Sequence, residues 1–330
     1  MRLALAQHRA GHLGEAALLY QQVLAQNPRQ ADALRLLGVL AHQRGELESA
    51  RRYLELALQV QPNSPEIHQA LGLVWFDLGQ PRQAVAAYQI ALRLRPNFPE
   101  AFYNLGNAHF ALGEGDAAAL AYRQAAEQQP ALAEAHYNLG LIAQDKGDPA
   151  GAIEHYQKAL RARPDYPEAH LNLGLAQQHL GKLPEAATSF LQALAFRPDY
   201  PEALLNLGTV RRQEKKLADA EACLRRALVL RPNEVSAHLN LALVLDDAGK
   251  LADAEQALRA ALALAPAHAE AHSFLAAVLK RQNRLDEAVS HYRRAIELAP
   301  AFLPTKVALV EVFISQDKLE AASDLCQEIL

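Results

Sequence analysis

The sequence predicts an all-α solenoid of about ten stacked helix–turn–helix repeats, and three marks carry the prediction. Proline recurs every 34 residues, at Pro28, Pro62, Pro96, Pro130, Pro164, Pro198, Pro232, Pro266 and Pro300. Alanine keeps the same spacing from Ala16 to Ala322, and leucine from Leu3 to Leu309, with no insertion or deletion. A fixed period of this length belongs to a chain whose units bury their apolar faces on their neighbours. Length then counts repeats rather than globular domains.

The gross composition agrees. Alanine, leucine, glutamine and arginine dominate the 330 residues, and β-branched and aromatic residues are sparse. That is helical composition. The net charge of −4 is mild and its lysines and arginines are scattered, unlike the basic stripe of a nucleic-acid binder. No apolar run is long enough to span a membrane. Met1 leads straight into a repeat without the pattern of a signal peptide, so a cytoplasmic location is expected. Cys223 and Cys326 lie three repeats apart, too far for a disulfide. Both fall where small apolar residues recur, and both are expected to be buried packing thiols.

Residues 133–166 illustrate one repeat, with Ala133 as position 1. His136, Leu139, Gly140 and Ala143 fall at positions 4, 7, 8 and 11, within one face of a helix A. Gly147 closes that helix, since glycine takes a left-handed conformation without a Cβ penalty. Glycine stands there in most repeats; Asn283, Asp317 and Lys215 replace it, lysine being the least suited. Asp148 and Pro149 open helix B as cap and first-turn proline. Ala152, Tyr156 and Ala159 form its buried face, and Pro164 ends it. Gly140 and Ala152 are small so that the two helices can cross closely. Position 8 is glycine or alanine in every repeat but the last, which has Val310.

Leu at 7, Gly or Ala at 8, Gly at 15, Ala at 20, Tyr, Phe or Leu at 24, Ala at 27 and Pro at 32 together resemble the tetratricopeptide repeat. The resemblance covers the whole chain as a single solenoid domain, 1–330. Its repeats are 1–30 (partial), 31–64, 65–98, 99–132, 133–166, 167–200, 201–234, 235–268, 269–302 and 303–330 (partial). It implies a right-handed superhelix with helices A lining a concave groove.

The face of helix A opposite its core side is the candidate binding surface. Position 6 points about 150° from the core face, with positions 2, 9 and 13. It is asparagine in five consecutive repeats: Asn104, Asn138, Asn172, Asn206 and Asn240. An amide offers donors and an acceptor, so it can bracket a peptide bond in either direction. Stacked helices set these amides roughly 10 Å apart, about three residues of an extended guest at about 3.3 Å each. Contacts among neighbouring helices are the alternative use. Tyr103 and Tyr137 adjoin two of the asparagines; they either edge the groove or sit between helices. Histidine recurs at position 4 (His68, His136, His170, His238, His272), on the core side and one per repeat, which suits ring packing rather than a metal site. The acidic file Asp32, Glu66, Glu100, Glu134, Glu168, Glu202 and Glu270 lies in the first turn of its A helices, where a carboxylate favours the helix dipole; an acidic lip on the groove is the alternative use. No phosphate loop, nucleophile elbow or metal-binding signature is present, so no catalytic residue, cofactor or metal is expected.

The phrases PEAHLNLG, AEAHYNLG and NFPEAFYNLG, with the run of asparagines, resemble the repeat arm of O-linked N-acetylglucosamine transferases and their bacterial relatives. In that family an asparagine ladder holds extended polypeptide and a catalytic domain follows the repeats. The expected function is a non-enzymatic protein-binding module taking extended polypeptide in the groove. The alternative is the substrate-recruiting arm of a larger glycosyltransferase, with its catalytic domain beyond Leu330. The apolar rhythm of Leu325, Cys326, Ile329 and Leu330 adds an expectation that this end is covered by further chain or by self-association.

Overall fold

The computed structural model describes residues 1–329; Leu330 and the side chain of Ile329 lie outside the described part, and with them half of the expected C-terminal stripe. The described residues form helices and turns, with no strand. They fall into two compact units, Met1–Pro164 and Asp165–Leu330. Unit 1 contains α1 Arg2–Arg9, α2 Leu13–Gln26, α3 Ala31–Gln43, α4 Leu47–Val60, α5 Pro65–Asp77, α6 Pro81–Leu94, α7 Pro99–Ala111, α8 Gly115–Gln128, α9 Ala133–Asp145 and α10 Pro149–Ala162. Unit 2 contains α11 Pro167–His179, α12 Leu183–Phe196, α13 Pro201–Gln213, α14 Leu217–Leu230, α15 Val235–Asp247, α16 Leu251–Leu264, α17 Ala269–Arg281, α18 Leu285–Leu298, α19 Leu303–Ser315 and α20 Leu319–Ile329. Odd-numbered helices are the A helices and even-numbered ones the B helices.

Local chemistry sets these boundaries. The Asp148 carboxylate accepts a hydrogen bond of 2.9 Å from the Gly151 N–H at the start of α10, which satisfies one of the donors left open at a helix N-terminus. Gly147 sits at φ +72. Its N–H bonds Gln144, and the Asp148 N–H reaches back to the Ala143 carbonyl at 2.9 Å, closing α9 with the paired bonds of a left-handed cap. Lys215, Asn283 and Asp317 adopt the same conformation at φ 64, 62 and 58. The period therefore imposes this backbone geometry even on lysine.

Helices A and B of each repeat cross at positions 8, 20 and 24. A Cβ added to Gly140 would lie 2.5 Å from Cε1 of Tyr156, so the ring occupies the space that a side chain would need. The position-20 alanines from Ala16 to Ala288 are fully buried. They bring α2 to α18 close to their partners. Tyr88, Tyr122, Tyr156, Phe190, Leu224 and Leu258 fill position 24 and are buried. The last repeat breaks the pattern: Val310 replaces the small residue, and position 24 is Cys326. Cys326 is exposed rather than buried, because no other described helix packs extensively on α20 beyond α19. Cys223 is only half-buried, and burial pushes its thiol up from the ordinary range. Neither cysteine is in a disulfide.

Consecutive A helices also touch one another within a unit, as α5 touches α3 and α7, and α13 touches α11 and α15. No two B helices make an extensive contact among the described residues. Within each unit the A helices therefore lie on the inside of the stack. Side chains tie one A helix to the next at their C-terminal ends, from position 12 to position 13 of the following repeat. In unit 1, His8 donates to Gln43 at 3.0 Å and His42 to Asp77 at 2.6 Å. In unit 2, Arg212 pairs with Asp247 at 2.7 Å, and Arg281 pairs with Asp246.

Candidate functional site

The asparagines of position 6 share one face of the A helices in each unit. Asn104 and Asn138 lie on α7 and α9; Asn172, Asn206 and Asn240 lie on α11, α13 and α15. All five are half-buried rather than open to solvent. The wheel of a single helix places them away from the core, but A helices that touch their neighbours shade one another's flanks. Asn206 donates one amide hydrogen to the Glu202 carbonyl at 2.8 Å, and Asn240 one to Ser236 at 2.9 Å. Each amide is thereby fixed to its own helix, with its oxygen and second hydrogen still available as acceptor and donor. Asn138 is used sideways. Its amide approaches the Asn107 oxygen at 3.4 Å, and Asn107 also accepts from the Tyr122 hydroxyl at 2.8 Å. Asn107, at position 9 of the preceding repeat, thus links α7, α8 and α9.

Tyr103 and Tyr137 are half-buried and lean on the position-24 rings of their own repeats. Tyr103 lies 5.8 Å from Tyr122, and Tyr137 lies 5.8 Å from Tyr156, both tilted. They hold the A and B helices together while one edge of each remains at the surface.

The acidic file has partners that the helix dipole alone does not supply. Glu134 pairs with Arg163 at 2.7 Å and Glu202 with Arg231 at 2.6 Å; Glu66 pairs with Arg95 and Glu168 with Arg197. Each arginine stands at position 31, at the end of helix B of the same repeat. Burial alone would raise the Glu66 carboxyl. Hydrogen bonds from its own backbone, from Ser64 and from Arg95 outweigh it and hold the group below the usual carboxylate range. The residue at position 34 then covers the arginine: Arg95 lies over Phe98 at 5.0 Å and Arg197 over Tyr200 at 4.6 Å. The arginines were visible in the sequence at the 34-residue period. Their role was not, because each partner lies 29 residues away.

The position-4 histidines do more than pack. His68, His238 and His272 each donate through Nε2 to the carbonyl of the proline six residues earlier, at 2.9, 2.9 and 3.1 Å. They staple the turn between repeats to the following A helix. His170 stacks on Phe196 at 5.7 Å. His272 also meets His291 of α18, Nδ1 to Nδ1 at 2.9 Å. Among the described residues no three histidines, cysteines or carboxylates gather as metal ligands, and no helix is long and apolar enough to cross a membrane.

A family model described as the Cilia and flagella-associated protein 70 C-terminal domain matches residues 132–328. Tetratricopeptide-repeat models match residues 7–74, 72–113 and 106–147. The chain is a tetratricopeptide-repeat protein, and residues 132–328 belong to the first of these families. Solved structures that this tetratricopeptide-repeat chain resembles include Pseudomonas aeruginosa pilF, 22% identical over 63% of this chain and 94% of that one, with a TM-score of 0.56. The APC/C hetero-tetramer Cut9–Hcn1 is 17% identical over 91% of this chain and 59% of that one, with a TM-score of 0.54. YrrB, described as a TPR protein with an unusual peptide-binding site, is 20% identical over 56% of this chain and 95% of that one, with a TM-score of 0.50. These likenesses concern the fold. No curated protein sequence matches the chain.

Proposed function

We propose that this tetratricopeptide-repeat protein is an interaction scaffold that holds extended polypeptide along its helix-A face and performs no chemistry of its own, the repeats of residues 1–330 acting as one module. One observation carries the reading: position 6 is asparagine in five consecutive repeats, on the same face of the A helices within each unit. Folding does not require asparagine there, since Leu36, Ala70, Phe274 and Ala308 stand at the same position in flanking repeats. Asn206 and Asn240 are held by their own helices in a fixed direction, so little ordering is left to be done on binding. Amides on neighbouring helices, roughly 10 Å apart, match about every third residue of an extended chain. Contacts to backbone tolerate many guest sequences, and that suits a scaffold.

The test is binding of a chemically unfolded, cysteine-blocked polypeptide to the protein and to its Asn138→Ala, Asn172→Ala, Asn206→Ala variant. Hydrogen bonds contribute roughly 0.5–1.5 kcal/mol each, so losing three weakens binding by about tenfold or more. Equal binding at unchanged helicity overturns the reading. The asparagine run, with its likeness to the repeat arm of O-linked N-acetylglucosamine transferases, favours one second reading: the same face recruits polypeptide to a transferase. The coding sequence downstream of Leu330 tests that. A transferase domain there supports it, and an immediate stop codon removes it.

A further inference from the structure

Repeat 201–234 differs from repeats 65–98 and 167–200 in what covers its position-31 arginine. In repeats 65–98 and 167–200 the position-31 arginine is covered by an aromatic ring, Phe98 or Tyr200. In repeat 201–234 position 34 is Glu234. Where the ring would lie, a pocket of about 160 Å³ opens among Glu202, Leu205, Asn206, Ala227, Arg231 and Glu234. Pro201 and Ser236 complete its wall.

The charged lining of this pocket leans to the acidic side. Glu202 and Arg231 engage each other at 2.6 Å. Ser236 spends its hydroxyl hydrogen on Glu234 at 2.7 Å, and Asn206 spends an amide hydrogen on its own backbone. The polar lining offers the Asn206 oxygen and the carboxylate oxygens of Glu202 and Glu234 as acceptors, and the second Asn206 amide hydrogen and the remaining Arg231 N–H groups as donors. Among the lining residues two carboxylates stand against one guanidinium, and Arg197 at the end of the preceding repeat also interacts with Glu202. The floor, Leu205 and Ala227, is apolar. A lysine or arginine side chain has the complementary form, an apolar stem with a donor-only cationic head, and the cavity has room for about one such side chain.

Resting on the polypeptide-binding reading above, we infer that the Glu202–Asn206–Glu234 pocket is a specificity subsite that takes a basic side chain of the extended guest. The asparagines hold guest backbone without regard to sequence, and this pocket fixes the register by capturing a cation. An acidic guest side chain is excluded there by Glu234, and a neutral aliphatic one leaves the acceptors unpaired.

The experiment uses fluorescence anisotropy with labelled unstructured peptides of identical Ser/Gly/Ala sequence, differing only in one central residue: lysine, norleucine or glutamate. The unfolded, cysteine-blocked polypeptide is measured in parallel. The lysine peptide should bind about tenfold more tightly than the norleucine peptide, and the glutamate peptide most weakly. Glu234→Gln should reduce the preference for lysine to about twofold or less, and Glu234→Tyr, which restores the covering ring, should abolish it. Binding of the unfolded polypeptide should change little in either variant. Equal affinity for the lysine and norleucine peptides, with the unfolded polypeptide still bound, overturns the subsite alone. Failure of the unfolded polypeptide and of all three peptides to bind overturns the scaffold reading and the subsite with it.

Discussion

Two regions of each repeat contrast sharply: the joint between helices A and B, and the outer face of helix A. The joint is nearly invariant. Alanine at position 20 is fully buried from Ala16 to Ala288, and from Gly38 to Gly208 a ring or leucine at position 24 lies against the glycine at position 8. The face varies. Position 6 is asparagine in five repeats and apolar in others, and position 34 passes from Phe98 through Tyr200 to Glu234. Residues that keep the period hold the stack together, since each joint is a copy of the next. Residues that break it are where this chain differs from a generic stack, and the proposed binding chemistry draws on them.

The joint should be the more fragile region. Gly140→Val places atoms within the space of the Tyr156 ring. It should destabilise the protein towards the upper end of the roughly 1–3 kcal/mol typical of overpacking, read by urea unfolding. The same exchange at a face position, Asn206→Val, should cost well under half as much. Comparable losses at both sites would remove the distinction between joint and face.

Lys215 sharpens the comparison, because there the period imposes a conformation on an unsuited residue. At φ 64 it stands where most repeats have glycine. A left-handed lysine costs roughly 1–2 kcal/mol, part of which glycine returns through its freer unfolded chain. Lys215→Gly should raise stability by up to about 1 kcal/mol, seen as a higher melting temperature. A lower melting temperature would mean that the native contacts of Lys215 outweigh the strain.

The smallest effect concerns the joint of repeat 269–302. His291 is held below its ordinary value of 6.5, first by burial and then by His272 and Arg259, while Glu287 and Glu255 act in the opposite sense. A histidine with a depressed folded value binds more protons when unfolded. Its contribution is therefore intact above about pH 6.5 and is lost as pH falls towards the folded value. Melting temperature should drop between about pH 7 and pH 5, and less so in His291→Gln. An identical pH profile in the variant would exclude this pair as a source.

Much of this was legible in the sequence. The period located every helix pair, the left-handed caps including Lys215, the Asp148 cap and the close crossing at Gly140. What was not legible depends on neighbours. The wheel of one helix cannot show that adjoining A helices shade Asn172 or Asn206. Glu134 in a first turn looked like a dipole effect until Arg163 was brought against it from the end of α10. The recurrence of the histidines is plain in the sequence, but the carbonyls of Pro62 and Pro232 that they hold lie on turns whose path needed coordinates. Cys326 was expected inside because its position is buried elsewhere, and it is exposed because the covering contacts of other repeats are not made there.

The central claim is that guest polypeptide lies on the helix-A face. Site-specific photo-crosslinking tests it most directly. A photoreactive amino acid is placed at Asn206 on α13 in one variant and at Val229 in another. Val229 lies on α14 and is 79% exposed, so accessibility favours the control. With the unfolded polypeptide present, the account predicts strong crosslinking from position 206 and little from position 229. Crosslinking from position 229 that equals or exceeds that from position 206 would contradict it.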